Sequence, residues 1–397
     1  MRSLDRWLGI PVCFLLSAAG RFLSLFARQA APKPAAQNIL FIKLSELGNI
    51  ALAVPLLRKV KNENPTAGLF FLTFARNKPL FSLLGIIPDG HIITIRDTSL
   101  GVFFADSTKA IVRMLRFRIG VVFDLEFFSR VSAIISYLSG APKRIGFYGF
   151  AMEGLYRGNL LTHKVLYNPA LHMAKMYYAL FQAMEGKHKF GPGLKEAITN
   201  EDVCLPRYLS SAREAGLIKE KLKSLGLPEG SKLILINPGD GAISLREWPL
   251  ENFISLAQKL LEDKTNYLAV VGIKGEGAKA DALCKAVRNQ RCLNLAGQTS
   301  LSEIITLCSM AALLITNDGG LAHLASLTDV WKVVFFGPES PQIYAPLGEN
   351  TRVAYSHFPC SPCLSAFNHR NSLCRDNRCL KVISPEEAYK LIGPILA

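Results

Sequence analysis

Two adjacent glycines and a histidine follow a predicted buried strand, in a segment that reads Asn-Asp-Gly-Gly-Leu-Ala-His over residues 317–323. Glycine lets the backbone approach a ligand closely, and the start of a helix offers free N–H groups to an anion. Gly319 and Gly320 therefore either lie against an anionic ligand or form an ordinary turn between the strand and the helix. Asp318 either caps the helix or binds a ligand hydroxyl. His323, one turn into the helix, either faces the same anion or is an ordinary surface residue.

A second glycine-containing loop follows another predicted strand, at residues 237–242. The carboxyl ends of the strands are where ligands bind in open α/β sheets, so Asn237 and Gly239 are predicted to share a site with the first loop. Arg246 is either a phosphate-binding residue or a solvated charge at the start of a helix. Glu276 follows the next strand and either accepts ribose hydroxyls or is an exposed carboxylate.

Four of the nine cysteines lie close together near the C-terminus. Cys360 and Cys363 form a Cys-x-x-Cys pair, and Cys374 and Cys379 follow after ten and four intervening residues. Such a group is compatible with a tetrahedral zinc ion, although the second spacing is unusual. We expect structural zinc here, with free thiols, disulfides and an iron–sulfur cluster as the alternatives. The other cysteines fall in apolar or helical segments and are expected to be core residues.

Short apolar runs alternate with amphipathic segments from residue 38 onward, a pattern typical of parallel α/β sheets. Strands are predicted at residues 39–42, 69–73, 92–95, 121–125 and 144–147, the last closing the first sheet, and a helix at residues 50–60. The pattern restarts with predicted strands at residues 233–236, 267–271, 312–316 and 332–336. The sequence therefore predicts an α/β protein with two Rossmann-like domains that face one cleft.

Four regions are predicted along the chain. Residues 1–36 form a membrane-associating leader and linker, residues 37–195 the N-terminal domain, residues 196–345 the C-terminal domain, and residues 346–397 a cysteine-rich segment with a final helix. The leader has an apolar run of 14 residues from Trp7 to Gly20, which resumes after Arg21. Ser17, Arg21, Ser24 and Arg28 would share one helical face. A helix of this kind suits a monotopic anchor, and a tilted single span and a signal peptide are the alternatives.

The net charge of +15 is concentrated in the first half of the chain. Residues 1–36 carry 5 basic and 1 acidic residue, residues 37–200 carry 20 and 10, and residues 201–397 carry 21 and 20. An anionic partner is therefore expected to meet the first half. Because no base-stacking or groove-reading motif accompanies the charge, nucleic acid is excluded as the partner. A membrane surface and a phosphate-bearing glycolipid fit the pattern. The hydrophobic content of 50% also excludes a disordered chain.

Several short motifs occur in an order that resembles glycosyltransferase family 9, the ADP-heptose:lipopolysaccharide heptosyltransferases. The matching motifs lie at residues 42–49, 55–57, 123–126, 144–147, 237–239, 246–249, 294–300, 317–323 and 336–338. The resemblance implies a GT-B fold, with a nucleotide-sugar donor in the C-terminal domain and the acceptor in the N-terminal domain. It also implies an inverting reaction that needs no metal for catalysis.

The resemblance also assigns roles to individual residues. The residues implied to hold the diphosphate and sugar of the donor are Asp318, Gly319, Gly320 and His323. Arg246 takes the place of a basic residue that meets the diphosphate, and Glu276 the place of a carboxylate on the ribose. Loop amides and a cationic residue would then stabilise the departing nucleotide diphosphate.

The loop after the first strand departs from the family pattern. The family has Leu-Gly-Asp there, and its aspartate is implied to be the general base that takes the proton of the acceptor hydroxyl. This chain has Asn49 at that position, and an amide cannot accept a proton at a useful pKa. Three alternatives follow. Glu46 in the same loop is the base, another carboxylate such as Asp124 or Glu126 takes over, or the protein binds its ligand with weak or no turnover.

We therefore expect an inverting glycosyltransferase that moves a sugar, heptose in the first instance, from an ADP-sugar to a lipopolysaccharide core or related anionic glycolipid. It is expected to be peripheral, on the cytoplasmic face of the bacterial inner membrane. One alternative is a GT-B transferase with another nucleotide sugar as donor. The other, motivated by Asn49, is a catalytically weak or silent protein that binds nucleotide sugars or glycolipids. No cofactor is expected for catalysis, and zinc at the cysteines is the only metal expected.

Overall fold

The computed structural model describes residues 5, 7–26, 38–148, 156–185, 190–191, 197–239 and 243–396. It divides into two compact units, Met1–Val203 and Cys204–Ala397. The predicted domain boundary between residues 195 and 196 lies outside the described residues, as do the linker at residues 30–36 and part of the loop at residues 237–242. The cysteine-rich C-terminal segment belongs to the second unit.

The first unit is built on a parallel sheet whose seven strands, among the described residues, have the order β3-β2-β1-β4-β5-β6-β7. The strands are β1 (Asn38–Ile42), β2 (Leu69–Phe74), β3 (Ile92–Ile95), β4 (Ile119–Asp124), β5 (Lys143–Tyr148), β6 (His163–Leu166) and β7 (Phe190–Gly191). The helices are α1 (Gly9–Phe26), α2 (Leu47–Leu52), α3 (Val54–Glu63), α4 (Lys78–Leu84), α5 (Leu100–Arg116), α6 (Arg130–Leu138) and α7 (Met173–Glu185). The strand order reverses between β1 and β4, so a crevice is expected at their carboxyl ends.

The second unit has a parallel sheet whose six strands, within the described part of the chain, have the order β10-β9-β8-β11-β12-β13. The strands are β8 (Lys232–Asn237), β9 (Asn266–Val270), β10 (Cys292–Asn294), β11 (Leu313–Asn317), β12 (Trp331–Phe336) and β13 (Thr351–Tyr355). The helices are α8 (Ala212–Ser224), α9 (Leu250–Leu260), α10 (Gly277–Val287), α11 (Leu301–Met310), α12 (Gly320–Ala325), α13 (Pro341–Tyr344), α14 (Arg378–Lys381) and α15 (Pro385–Leu396). Here the order reverses between β8 and β11.

The central strands are apolar on both faces because helices cover each sheet. All six residues of β2 are buried, and the rings of Phe41 and Phe123 stack between β1 and β4 with centroids 5.2 Å apart. In the second unit the buried Trp248 stacks on Phe335 of β12 with centroids 4.1 Å apart. The predicted α/β class with two Rossmann-like units is confirmed.

Two sequence-based predictions about the elements were wrong. The first sheet does not close at β5, because β6 and the two-residue β7 extend it in parallel. The single helix predicted at residues 50–60 is two helices, α2 and α3, which meet at Ala53. Pro55 lies in the first turn of α3, where its missing N–H group costs no hydrogen bond, so the proline starts a new helix.

The N-terminal helix α1 packs on α6 of the first unit. Ser17, predicted to lie on a polar stripe with Arg21, is turned toward the protein, where its Oγ accepts a hydrogen bond from the backbone N–H of Asn159 (2.8 Å). Arg21 is exposed. None of the described helices combines the length and the hydropathy that crossing a bilayer requires.

Candidate active site

A buried lysine organises the loops that follow β1 and β4. Lys43 comes directly after β1, and its side chain is fully buried. Its Nζ donates hydrogen bonds to Oε2 of Glu126 (2.8 Å) and to Oε2 of Glu46 (3.2 Å), and it lies 5.0 Å from the centre of the Phe127 ring. A buried ammonium group is stable only when it is paired. The sequence therefore places a cation and two carboxylates at the point where the strand order reverses.

Two of the three carboxylates proposed as the base are held in structural bonds. Glu126 Oε1 accepts hydrogen bonds from the backbone N–H groups of Leu44 (2.7 Å) and Ser45 (3.3 Å). Asp124 is fully buried and forms an ion pair with the equally buried Arg157, and its Oδ2 also accepts from Ser132 Oγ (3.0 Å). Burial raises the pKa of Asp124, and Arg157 opposes that shift. These bonds connect the end of β4 and the loop after it to the adjacent segments. Neither carboxylate is therefore well placed to accept a proton from the acceptor hydroxyl.

Glu46 is the accessible carboxylate of this cluster. Its side chain is 31% exposed, against 11% for that of Glu126. The amide of Asn49 donates a short hydrogen bond to Glu46 Oε2, so the asparagine orients the glutamate. Glu46 has a left-handed backbone with φ 69°, a conformation that costs non-glycine residues about 1–3 kcal/mol and that clusters at functional sites. The structure thus brings Glu46 and Asn49 together, with Asn49 itself buried.

In the second unit one asparagine joins the two glycine-containing loops. Asn317, the last residue of β11, donates from Nδ2 to the carbonyl oxygens of Pro238 (3.0 Å) and Gly239 (3.4 Å). Its Oδ1 accepts from the backbone N–H of Trp248 (2.9 Å). Asn237 fixes the other side of the loop, because its Oδ1 accepts from the N–H of Gly239 (2.9 Å). The two loops predicted to share a site are therefore bonded to each other.

A cluster of buried charges lies beside these loops. Arg246 donates from Nη2 to Oε1 of Glu339 (2.6 Å), and its Nε is 3.9 Å from Oδ2 of Asp318. Arg370 contacts the same Glu339 oxygen through its Nε (3.1 Å). Asp318 does not cap α12, since the N-cap residue is Gly319 and no side chain caps that helix. Burial raises the pKa of the Asp318 carboxyl, and Arg246 partly offsets the shift. Two half-buried arginines and two buried carboxylates thus lie within one site.

Glu339 gives this cluster a pH-dependent contribution to stability. Burial raises its pKa to about 7, Arg246 opposes the shift, and Asp318 adds to it. Between the ordinary glutamate pKa and pH 7 the folded protein binds more protons at this site than the unfolded chain, so stability falls as pH rises through that window. In wild type this effect lowers the free energy of unfolding by about 1.4 kcal/mol per pH unit, up to about 3 kcal/mol across the window. We expect Glu339→Gln to abolish this loss, because glutamine does not titrate.

The measurement is chemical denaturation of wild type and variant at pH values from 5 to 8. The free energy of unfolding of the variant, relative to wild type, should rise with pH across this range and level off above pH 7. Glu349→Gln, at an exposed glutamate of the same unit, is the control. Parallel profiles for wild type and Glu339→Gln would contradict the prediction.

Glu276 lies against the glycines of two loops. Its Oε2 accepts from the backbone N–H of Ile273 (3.0 Å). A Cβ added at Gly239 would clash with Glu276 Oε1, and one added at Gly272 would clash with Glu276 Oε2. Glycine at both positions therefore leaves room for the carboxylate. The structure brings Glu276 next to the Asn237–Gly239 turn, as the shared sheet edge predicts.

The remaining residues predicted for the donor lie on and before α12. Gly319 has an extended backbone, and a Cβ there would meet only the Asn317 carbonyl oxygen at 3.8 Å. Gly320 begins α12, and His323 is buried in its first turn, which argues against an ordinary surface histidine. The space beside Gly319 leaves the backbone there open to the approach of a ligand.

The four clustered cysteines line one cavity of about 240 Å³. Burial, and then the neighbouring thiols, raise the pKa of Cys379 to about 11. Cys363 also donates its backbone N–H to the Pro338 carbonyl (2.9 Å), directly before Glu339. None of the four cysteines forms a disulfide. In the described part of the chain no three cysteine, histidine or acidic side chains are arranged to hold one metal ion. Zinc at these thiols stays a prediction.

Metal analysis of the native protein tests the zinc prediction. About one zinc per chain is expected, and the double substitution Cys360→Ser with Cys363→Ser should abolish it, because two of four ligands are lost. Cys204→Ser, at an exposed cysteine outside the cluster, should leave the zinc content unchanged. Folded protein that is isolated without zinc would refute the prediction.

Sequence reasoning missed several residues that build these sites. They are Lys43, Arg157, Asn317, Glu339 and Arg370. Two of them could have been found from the sequence: Lys43 stands at the end of an apolar strand, and Glu339 follows a Gly-Pro pair. Arg157 and Arg370 lie in irregular segments, where no periodic pattern marks a buried arginine.

The chain is similar to known proteins in sequence and in fold. The model of the family described as glycosyltransferase family 9 (heptosyltransferase) matches residues 127–373. Lipopolysaccharide heptosyltransferase 2 of Salmonella typhimurium is 25% identical over 318 residues, which cover 80% of this chain and 87% of that protein.

Two solved structures share the fold. The structure of Escherichia coli ADP-heptose lipopolysaccharide heptosyltransferase II matches with a TM-score of 0.68 and 21% sequence identity. The match covers 90% of this chain and 98% of the Escherichia coli chain. An Escherichia coli heptosyltransferase solved with ADP has a TM-score of 0.62 at 15% identity, over 90% of this chain and 99% of its own. The chain is therefore similar to these proteins over most of its length.

Proposed function

The chain belongs to glycosyltransferase family 9, and from that premise we propose that it transfers a heptose from ADP-heptose to a lipopolysaccharide core or a related anionic glycolipid. The observation that carries the proposal is the bonded pair of loops at the strand reversal of the second unit, with Arg246 and two buried carboxylates beside it. Relatives named for lipopolysaccharide heptose transfer, and a structural neighbour solved with ADP, support the choice of donor and acceptor.

In this proposal the second unit binds the donor. The diphosphate meets the backbone N–H groups at Gly319 and Gly320 and the guanidinium of Arg246. A planar guanidinium matches phosphate oxygens with two parallel hydrogen bonds. Glu276 accepts the ribose hydroxyls, and the carboxylate of Asp318 accepts hydroxyls of the sugar. Glu339 holds Arg246 in place through the 2.6 Å contact.

The reaction we propose inverts the anomeric carbon in one displacement. The oxygen of the acceptor hydroxyl attacks the anomeric carbon and forms the new C–O bond, while its proton passes to the carboxylate of Glu46. The bond between the anomeric carbon and the diphosphate oxygen breaks, and ADP leaves with the electron pair. Arg246 and the loop amides stabilise the negative charge that develops on that oxygen. No metal takes part in this proposal.

The basic first half of the chain suits an acceptor that carries phosphate groups at an anionic membrane. The first 200 residues hold 14 of the 15 excess positive charges. We place the protein at the cytoplasmic face of the inner membrane as a peripheral protein, because that is the side on which a nucleotide-sugar donor is available.

A donor screen tests the proposed function. Thermal shift of the purified protein against ADP, UDP and GDP sugars should show stabilisation by the ADP sugar, since ligand that binds only the folded state raises the melting temperature. ADP release from ADP-heptose in the presence of a lipopolysaccharide core acceptor should then follow. Preference for another nucleotide sugar would overturn the assignment of the donor, and binding without product would identify a silent binding protein.

A further inference from the structure

The N-terminal helix α1 is held on the first unit by one narrow face. Cys13 is fully buried and forms an apolar cluster with Ala133 of α6 and Leu160. Ser17 bonds to the backbone of Asn159 on the same side. Gly158, with φ +61°, has space only for glycine, because a Cβ there would lie 2.8 Å from the Cys13 carbonyl oxygen. The inner face of the helix is therefore shaped to this part of the unit.

Glycines bring α1 into close contact with α6. A Cβ at Gly9 would lie 2.7 Å from Cδ of Arg130, and one at Gly20 would lie 2.7 Å from the hydroxyl of Tyr137. These two glycines are eleven positions apart, about three helical turns, so they lie on one face. The part of α1 from Gly9 to Gly20 is thus fixed along α6.

Asp5, four positions before the start of α1, also belongs to this interface. Asp5 Oδ1 accepts hydrogen bonds from the backbone N–H groups of Arg130 and Val131, each 2.9 Å long, at the start of α6. A carboxylate at a helix N-terminus is favoured by the helix dipole. The buried side chain of Arg130 also bonds to the Tyr156 carbonyl (2.9 Å). The segment is therefore an integral part of the first unit.

The opposite side of α1 and the residue before it expose large apolar side chains to solvent. They include Leu8, Ile10, Val12, Phe14, Leu15, Leu23 and Leu25. Phe14, Leu15, Leu23 and Leu25 are between 61% and 79% exposed. A contiguous apolar surface of this kind marks a site of interaction with a protein or a membrane.

The charge of α1 and of the sequence on either side of it favours one of these partners. Arg21 is the one charged residue within α1, and residues 1–36 contain 5 basic residues and 1 acidic residue, Asp5. Asp5 is already used at the start of α6. A second copy of the chain would bring like charges to the contact, whereas anionic lipid headgroups complement them.

We propose that the exposed face of α1 is a docking surface for an anionic lipid bilayer, and this rests on the proposed transfer to a membrane glycolipid. With 18 residues the helix is about 27 Å long, and it lies fixed along the first unit, so it inserts its apolar side chains parallel to the membrane plane. Arg21 meets lipid phosphates. The first unit thereby carries its own membrane contact as part of its fold.

Flotation of the full-length protein with vesicles tests this inference. Wild type should float with vesicles of phosphatidylethanolamine and phosphatidylglycerol and bind much less to phosphatidylcholine alone. The triple substitution Phe14→Ser, Leu15→Ser and Leu25→Ser should weaken the binding constant at least about tenfold, because the inserted apolar area is lost. The matched control is Leu209→Ser with Leu373→Ser, at two leucines of the second unit that are 80% and 100% exposed. These control substitutions should leave flotation unchanged.

Two readouts separate this inference from the proposed function. Turnover of ADP-heptose with a deacylated, water-soluble acceptor in vesicle-free buffer should stay within about twofold of wild type in the triple variant. Circular dichroism should show an unchanged fold, since all three residues point to solvent. Wild-type flotation that persists in the triple variant would overturn the inference. So would a dimer of wild type that the same substitutions dissociate, because the face would then be a contact between copies.

Discussion

Substitution of Glu46 by glutamine is expected to lower the turnover number for heptose transfer by about 10²–10⁴-fold, the usual contribution of a positioned general base. Glutamine keeps the shape of the side chain and its capacity to accept from Lys43 and Asn49, but it cannot take the proton of the acceptor hydroxyl. Donor affinity should change little, because Glu46 lies in the first unit. Single-turnover measurements with ADP-heptose and a core acceptor give this result directly.

The family residue provides a rescue experiment. In wild type, Asn49→Asp would put a second carboxylate against Oε2 of Glu46 and should be unfavourable. In the Glu46→Gln background the same change adds a base at the family position without this repulsion. We therefore expect the double variant to recover at least about tenfold over Glu46→Gln alone.

The matched control for Glu46→Gln is Glu63→Gln, which removes an exposed carboxylate that pairs with Lys59 at 2.8 Å. It should leave turnover unchanged, because exposed ion pairs contribute little. If Glu46→Gln turned over like wild type, Glu46 would have no part in proton transfer. If wild type itself bound donor without turnover, the departure at Asn49 would mark a silent binding protein.

Substitution of Arg246 by alanine is expected to lower turnover by about 10²–10³-fold, the usual effect of removing one preorganised donor to a developing anion. The guanidinium is held by Glu339 at 2.6 Å and lies 3.9 Å from Asp318, so its position is fixed before the donor binds. Arg246→Lys should restore part of the loss, since it keeps the charge and loses the planar fork.

Stability and catalysis must be separated for this variant. Removing Arg246 leaves the buried carboxylates of Asp318 and Glu339 with fewer cations, so Arg246→Ala should also unfold more easily. Turnover is therefore compared under conditions where circular dichroism shows the folded state. Arg207→Ala, which removes an exposed ion pair with Asp329, is the control for a lost surface arginine. Full activity of folded Arg246→Ala would exclude its role at the diphosphate.

The parallel strands and the ligand edge of each sheet were predictable from sequence because their signal is local. A run of four apolar residues such as Leu-Ile-Leu-Ile, followed by a Pro-Gly loop, indicates a strand that is buried on both faces of its sheet. The loops of Asn237 and Asp318 were placed at one edge on the same grounds. Four strands, β6, β7, β10 and β13, escaped prediction. In β7 and β10, two or three residues carry too little pattern.

The sequence by itself determined the α/β class, the family motifs, the concentration of positive charge in the first half and the loss of the family aspartate at Asn49. Only the tertiary structure decided which carboxylate of the first unit is accessible, because Asp124 and Glu126 are occupied by partners up to 83 residues away. It also decided that Glu339 holds Arg246 and is itself contacted by Arg370, and that α1 is part of the first unit. Such contacts join residues distant in sequence, and their energy depends on burial that a linear pattern does not encode.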